Sequence, residues 1–126
     1  AAHWLTLQFE EEQEHAMKFS AYLQDRGAKV KLAAMDMPKT EWKDLLAIFK
    51  EVLDHEKQVT AWINEINALA IAEKDYATQS MLRWFIDEQV EEEASASDVI
   101  WMLEMSAGSK SALFMADKTL GGRKDD

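Results

Sequence analysis

The sequence predicts an all-α protein built as a helical bundle, and three observations carry that expectation. Its 126 residues contain only four Gly and one Pro, so the breakers divide the chain into a few long uninterrupted stretches. Those stretches far exceed the ordinary helix of about 11 to 12 residues, and helices that long bundle. Within each of them apolar residues recur at three- and four-residue steps, the period of one helix face.

The first helix is expected over about 4–26, with Gly27 as the left-handed residue that ends it. Ala1-Ala2-His3-Trp4-Leu5 offers neither an initiator Met nor a capping residue, so the start reads as a cut through a helix. From Ala28 to Lys39 the chain is expected to be extended, with Val30 and Leu32 alternating against Lys29 and Lys31. At ~3.3 Å per residue it reaches ~40 Å, the length of a long bundle. The second helix, about 41–72, has Thr40 as its expected N-cap, with Lys43 where a capping box has Glu. A tight turn at Glu73-Lys74-Asp75 leads to the third, about 75–107, and a short fourth covers about 111–120. Arg123 to Asp126 reads as a frayed tail.

Composition narrows the functional classes. The formal charge of −10, from 14 Lys or Arg against 24 Asp or Glu, repels phosphate backbones, so neither nucleic acid nor an anionic membrane is an expected partner and cations are. Cys is absent, which removes disulfides, thiolate zinc sites and cysteine nucleophiles. No apolar run approaches the ~18 to 20 residues of a membrane span. A soluble, cytoplasmic protein is the expectation.

Each long stripe is broken near its middle by polar groups. On the second helix Trp42, Leu45, Phe49, Val52, Glu56, Val59, Ile63, Ile66 and Ala70 share a face, apolar except for Glu56. The first presents Leu5, Phe9, Glu12, His15 or Ala16, Phe19 and Leu23; the third Leu82, Phe85, Gln89, Glu92, Ala96, Val99 and Leu103. Glu56 lies 16 residues before Ala72, and Gln89 and Glu92 lie 14 and 17 after Asp75, so an antiparallel hairpin sets them at one level. Carboxylates converging in an apolar interior repel one another unless a cation sits between them. Oxygen ligands with one imidazole and no sulfur suit iron or manganese. Glu12 and His15 form the Glu-x-x-His unit of di-iron and di-manganese carboxylate bundles. Glu10, Glu14 and Glu93 read as solvated helix face, His3 and His55 fall off the stripes, and the Trp and Met residues read as packing.

At these residues the chain resembles a non-haem bacterial or archaeal ferritin. The likeness is carried by Phe9-Glu10-Glu11-Glu12-Gln13-Glu14-His15, by Asp54-His55-Glu56-Lys57, by the run from Trp84 to Glu93, and by Leu113-Phe114-Met115-Ala116-Asp117-Lys118; the gaps of 44 residues from Glu12 to Glu56 and 33 from Glu56 to Gln89 fit it. The resemblance implies a single ferritin-like domain over 1–126, a ferritin-like four-helix bundle whose first helix, with its Glu ligand, has no counterpart here. Three inward stripes alone leave an open apolar trough, which independently asks for a fourth helix. By resemblance Glu12 bridges two irons, His15 ligates the first, Glu56 the second, and Gln89 orients ligands or oxygen there. Glu11, Glu88, Glu91 and Glu92 look like the carboxylates of a third iron or of transfer toward a cavity, and Trp84 like the aromatic beside the ferroxidase centre. Gln13, Gln89 and Glu92 stand where bacterioferritins carry a haem-ligating Met and a second Glu-x-x-His, so haem is not expected.

The implied activity is iron storage with ferroxidase chemistry: Fe(II) oxidised by oxygen or hydrogen peroxide and kept as Fe(III) mineral in a homo-oligomeric, 24-subunit cage. Two rival readings remain open. A di-iron oxidase or peroxidase would use the same ligands without storage, and a helical interaction module would use the polar notches only to fix helix register.

Overall fold

The computed structural model describes residues 1–124 and is all-α, with three long helices and a short one: α1 (Ala2–Asp25), α2 (Leu45–Ala72), α3 (Tyr76–Met105) and α4 (Lys110–Leu120). No strand occurs among the described residues, and none of their helices is long and apolar enough to cross a membrane. Two compact units divide the chain, one comprising Ala1–Glu41 with the segment from Lys110 onward, the other Trp42–Ser109.

In the second unit α2 and α3 form an antiparallel hairpin, and its ends are chemically specified. Asp44 Oδ1 accepts from the Ala47 backbone N–H at 2.8 Å and caps α2, four residues later than the Thr40 cap read from the sequence. The first turn it opens is Leu45-Leu46-Ala47-Ile48, already apolar, whereas a start at Thr40 would put Glu41 and Lys43 there. Trp42, expected on the α2 stripe, precedes the helix and donates its indole N–H to Glu51 Oε2 at 2.8 Å.

At the far end of α2, Lys74 adopts φ 55°; its N–H donates to Ile71 O at 3.1 Å and that of Asp75 to Ala70 O at 2.8 Å, the paired bonds of a Schellman motif. Asp75 then opens α3. Its Oδ1 accepts from the Thr78 N–H at 3.1 Å and its Oδ2 from the Thr78 hydroxyl at 2.6 Å. One residue therefore ends one helix and caps the next. Lys50 of α2 meets Glu104 of α3 at 3.5 Å near the other end of the hairpin.

The packing between the two helices is heptad-like. α2 buries Phe49, Glu56, Ile63 and Ala70, each seven residues from the last. α3 buries Leu82, Phe85, Gln89, Glu92, Ala96, Val99 and Leu103 in alternating steps of three and four, the whole face expected from its pattern. Such a 3.5-residue repeat keeps one seam turned to the partner helix over many turns.

In the first unit α1 ends as expected. Gly27 takes φ 73° and its N–H donates to Gln24 O, while that of Ala28 donates to Leu23 O at 2.8 Å. Residues 28–42 carry no regular structure and are exposed.

The α1 stripe differs from the expected one. Phe9 is 61% exposed and Leu23 40%, whereas Trp4, Leu7 and Gln8 are buried; Glu12, His15, Phe19 and Tyr22 are half-buried. Trp4 and Gln8 are covered by Arg123, just beyond α4, expected to fray but instead packed on α1. Its guanidinium carbon lies 4.4 Å from the centroid of the Trp4 ring, Nη1 donates to Trp4 O at 3.3 Å and Gln8 Oε1 at 3.1 Å, and Nη2 pairs with Glu11 Oε2 at 2.6 Å. His3 Nε2 adds a hydrogen-bond contact of 2.8 Å to Arg123 O. These contacts add to the burial of Trp4 and Gln8. Asp125 and Asp126, the rest of the expected tail, lie outside the described residues.

Candidate metal centre

The site residues fall into two sets, one in each unit. On α1, Glu12 and His15 are one helical turn apart and on one side of the helix, with Glu12 Oε2 3.6 Å from His15 Nδ1. Gln8, one turn earlier, donates from Nε2 to Glu12 Oε1 at 3.3 Å. Thus one carboxylate oxygen of Glu12 is engaged by an amide and the other faces the imidazole. Glu11 points to Arg123.

On the hairpin, Glu56 is 2% exposed and Gln89 3%. Gln89 Nε2 donates to Glu56 Oε2 at 3.1 Å, lies 3.1 Å from the Glu56 carbonyl oxygen, and reaches Thr60 Oγ1 at 3.2 Å. The Thr60 hydroxyl itself donates to Glu56 O at 3.0 Å. The side-by-side placement of Glu56 and Gln89 expected from the turn arithmetic is therefore realised. Glu92 is buried on the same α3 face, Glu88 is half-buried one turn before it, and Glu91 is exposed. Trp84 is 40% exposed and meets Phe85 edge-to-face with centroids 4.9 Å apart. A half-open cavity of about 190 Å³, lined by Thr60, Asn64, Gln89 and Glu93 among others, lies beside the Gln89 amide.

Burying a carboxylate costs several kcal/mol unless charge or hydrogen bonds compensate it. The Gln89 amide supplies part of that compensation at Glu56, one hydrogen bond contributing ~1 kcal/mol net. Glu56 in mid-helix and Glu92 on the neighbouring helix place two carboxyl groups in the buried face of the hairpin, oxygen donors of the kind that hard cations take. Glu12 and His15 present the same hard oxygen and borderline nitrogen donors on α1. Such donors take iron or manganese readily.

Three residues of this chemistry were not singled out from the sequence. Thr60 follows Glu56 by four, and Gln8 precedes Glu12 by four, so helix spacing alone places each beside a site carboxylate. Arg123 carries no comparable signal in a Gly-Gly-Arg terminus.

An all-α chain bearing a Glu-x-x-His pair on one helix and a buried Glu–Gln pair across two others has the donor arrangement found in helical carboxylate metal proteins. Comparison with known proteins narrows this. Residues 1–106 match the ferritin-like domain family. The bacterial non-heme ferritin of Staphylococcus aureus is 38% identical over 125 residues, covering 99% of this chain and 75% of that protein; its counterpart in Staphylococcus haemolyticus is 37% identical over the same length. The crystal structure of an open-pore ferritin from the hyperthermophilic archaeon Archaeoglobus fulgidus superposes with a TM-score of 0.94 at 43% identity, over 97% of this chain and 75% of that one. The chain belongs to the ferritin family.

Proposed function

We propose that the chain is an iron-storage ferritin subunit with ferroxidase activity, a single ferritin-like domain that oxidises Fe(II) and passes Fe(III) to a mineral inside a cytoplasmic homo-oligomeric cage. The observation that carries this reading is the Glu56 carboxylate, buried within an apolar α2 face and bound by Gln89. Family membership supports joining this pair with Glu12 and His15 in one di-iron site. In this reading Glu12 bridges the two irons, His15 ligates the first and Glu56 the second, while Gln89 orients ligands beside Glu56. Glu88, Glu91 and Glu92, with Glu11, form the neighbouring set that takes a third iron or carries iron onward. Glu11 would exchange Arg123 for metal in doing so.

Iron is here substrate and cargo. Anionic oxygen donors favour Fe(III) over Fe(II) and so lower the potential at which iron gives up its electron. Two Fe(II) supply two electrons; with two protons these convert oxygen to hydrogen peroxide, or hydrogen peroxide to two waters. No side-chain nucleophile is needed. The net charge of −10 favours gathering cations at the surface and along channels. The 24-subunit cage rests on the family alone.

Aerobic addition of Fe(II) tests the proposal. A storage subunit takes up far more than three irons per chain and stays soluble, and its native mass reports the subunit number together with the cargo. Oxidation followed by precipitation would favour the non-storage oxidase, and absence of oxidation would refute the ferroxidase reading.

A further inference from the structure

The hydrogen bonds around Gln8 run in one direction only. A guanidinium has five N–H donors and no acceptor, and an ionised carboxylate only accepts. Between Arg123 Nη1 at 3.1 Å and Glu12 Oε1 at 3.3 Å, the Gln8 amide satisfies both neighbours in one orientation, Oε1 toward Arg123 and Nε2 toward Glu12. A flipped amide would set N–H against N–H and oxygen against oxygen.

Arg123 is itself fixed on several sides, by the Trp4 ring face, Trp4 O and the Glu11 carboxylate. Gln8 is 7% exposed, so water has little access to substitute for either contact. Glu12 Oε1 is thereby engaged, and Oε2 is left on the side of His15 Nδ1, 3.6 Å away.

We infer that Gln8 and Arg123 are positioning residues: Arg123, carried by the segment after α4, sets the Gln8 amide, and the amide holds the Glu12 carboxylate in the orientation in which Glu12 and His15 receive metal. The inference rests on the iron reading above and adds two residues to it that touch no metal. It also gives the segment after α4 a role at the metal donors of α1, Arg123 lying 112 residues from Glu11 in sequence. Partners of this kind, one step removed from the metal, are worth about 10- to 100-fold in affinity.

The test is an anaerobic titration of the full chain with Co(II), which binds the same donors, reports its coordination in the visible spectrum and needs no turnover. Wild type is compared with Gln8→Leu, Arg123→Ala and Arg123→Lys, each also melted by circular dichroism so that loss of fold is read separately. Gln8→Leu leaves the Arg123 contacts to Trp4 and Glu11 in place and serves if Arg123→Ala does not fold. The expected result is a Co(II) dissociation constant raised about 10- to 100-fold in Gln8→Leu and Arg123→Ala, and largely restored in Arg123→Lys, whose ammonium still donates to Gln8 Oε1. Wild-type affinity in Gln8→Leu overturns the inference while leaving the iron reading intact. Loss in Gln8→Leu with none in a folded Arg123→Ala overturns the role of Arg123. A wild-type chain that binds no Co(II) and oxidises no Fe(II) overturns the iron reading itself, and this inference with it.

Discussion

Replacing Glu56 by Leu separates a metal ligand from a structural polar group, because the two roles predict opposite changes in stability. The side chain is 2% exposed, and Leu occupies a similar volume. In the metal-free protein the substitution removes a buried carboxylate together with its contacts, among them the hydrogen bond from Gln89. That amide retains the residue-56 carbonyl at 3.1 Å and Thr60 Oγ1 at 3.2 Å, so the loss is about 1 kcal/mol. Exchanging buried ionic groups for apolar ones of like size is neutral or stabilising by about 1–4 kcal/mol. The net expectation for the metal-free variant is no loss and a gain of up to ~3 kcal/mol, on the order of 10 °C in Tm for a chain of this size. With Fe(II) held anaerobically at 100 times its dissociation constant that advantage is cancelled or reversed, since ligand binding adds about 2.7 kcal/mol to wild type and little to the variant. Differential scanning calorimetry with and without anaerobic Fe(II), beside an aerobic oxidation assay, measures both halves. A variant clearly less stable than wild type without metal, or stabilised equally by Fe(II), would refute the assignment of Glu56 as a ligand.

Three other substitutions test the framework. Lys74→Gly relieves a left-handed backbone at φ 55° and should raise stability by about 1 kcal/mol, read as an increase in Tm; an unchanged or lower Tm counts against strain at the turn. Asp44→Ala removes the cap on Ala47 and should cost ~1 kcal/mol, with faster amide exchange confined to the first turn of α2; uniform exchange along the helix would contradict a local cap. Phe49→Ala empties a fully buried position and should cost about 3–5 kcal/mol, visible in chemical denaturation; a change below ~1 kcal/mol would mean that Phe49 is not in a packed core.

How much of this was legible beforehand depends on how local its cause is. All seven buried positions of α3 follow from apolar spacing, because that face meets a neighbour joined by a three-residue turn. The Glu56–Gln89 contact follows from the same turn and counting along two helices. The start of α2 does not, since Thr40 and Asp44 are both good caps four residues apart and the apolar first turn after Asp44 decides between them. The buried Gln8 is beyond periodicity, because Arg123, more than a hundred residues later in sequence, binds its amide oxygen. An Arg after two glycines has no local reason to be ordered; its reason is the Trp4 ring and the Glu11 carboxylate. The site carboxylates are therefore readable from the sequence, and the groups that hold them in place are read only from the fold.

The turn at Lys74 and Asp75 acts on chemistry some twenty ångströms away. Because Asp75 both closes α2 and opens α3, the hairpin contains no slack, and the phase of α3 against α2 is counted from that point. Inserting one residue there would rotate every α3 side chain by about 100° and slide it ~1.5 Å, carrying the Gln89 amide off Glu56 although neither residue had changed. The side chains of the turn are free to vary within capping rules; its length works as a gauge block for the donors at mid-helix.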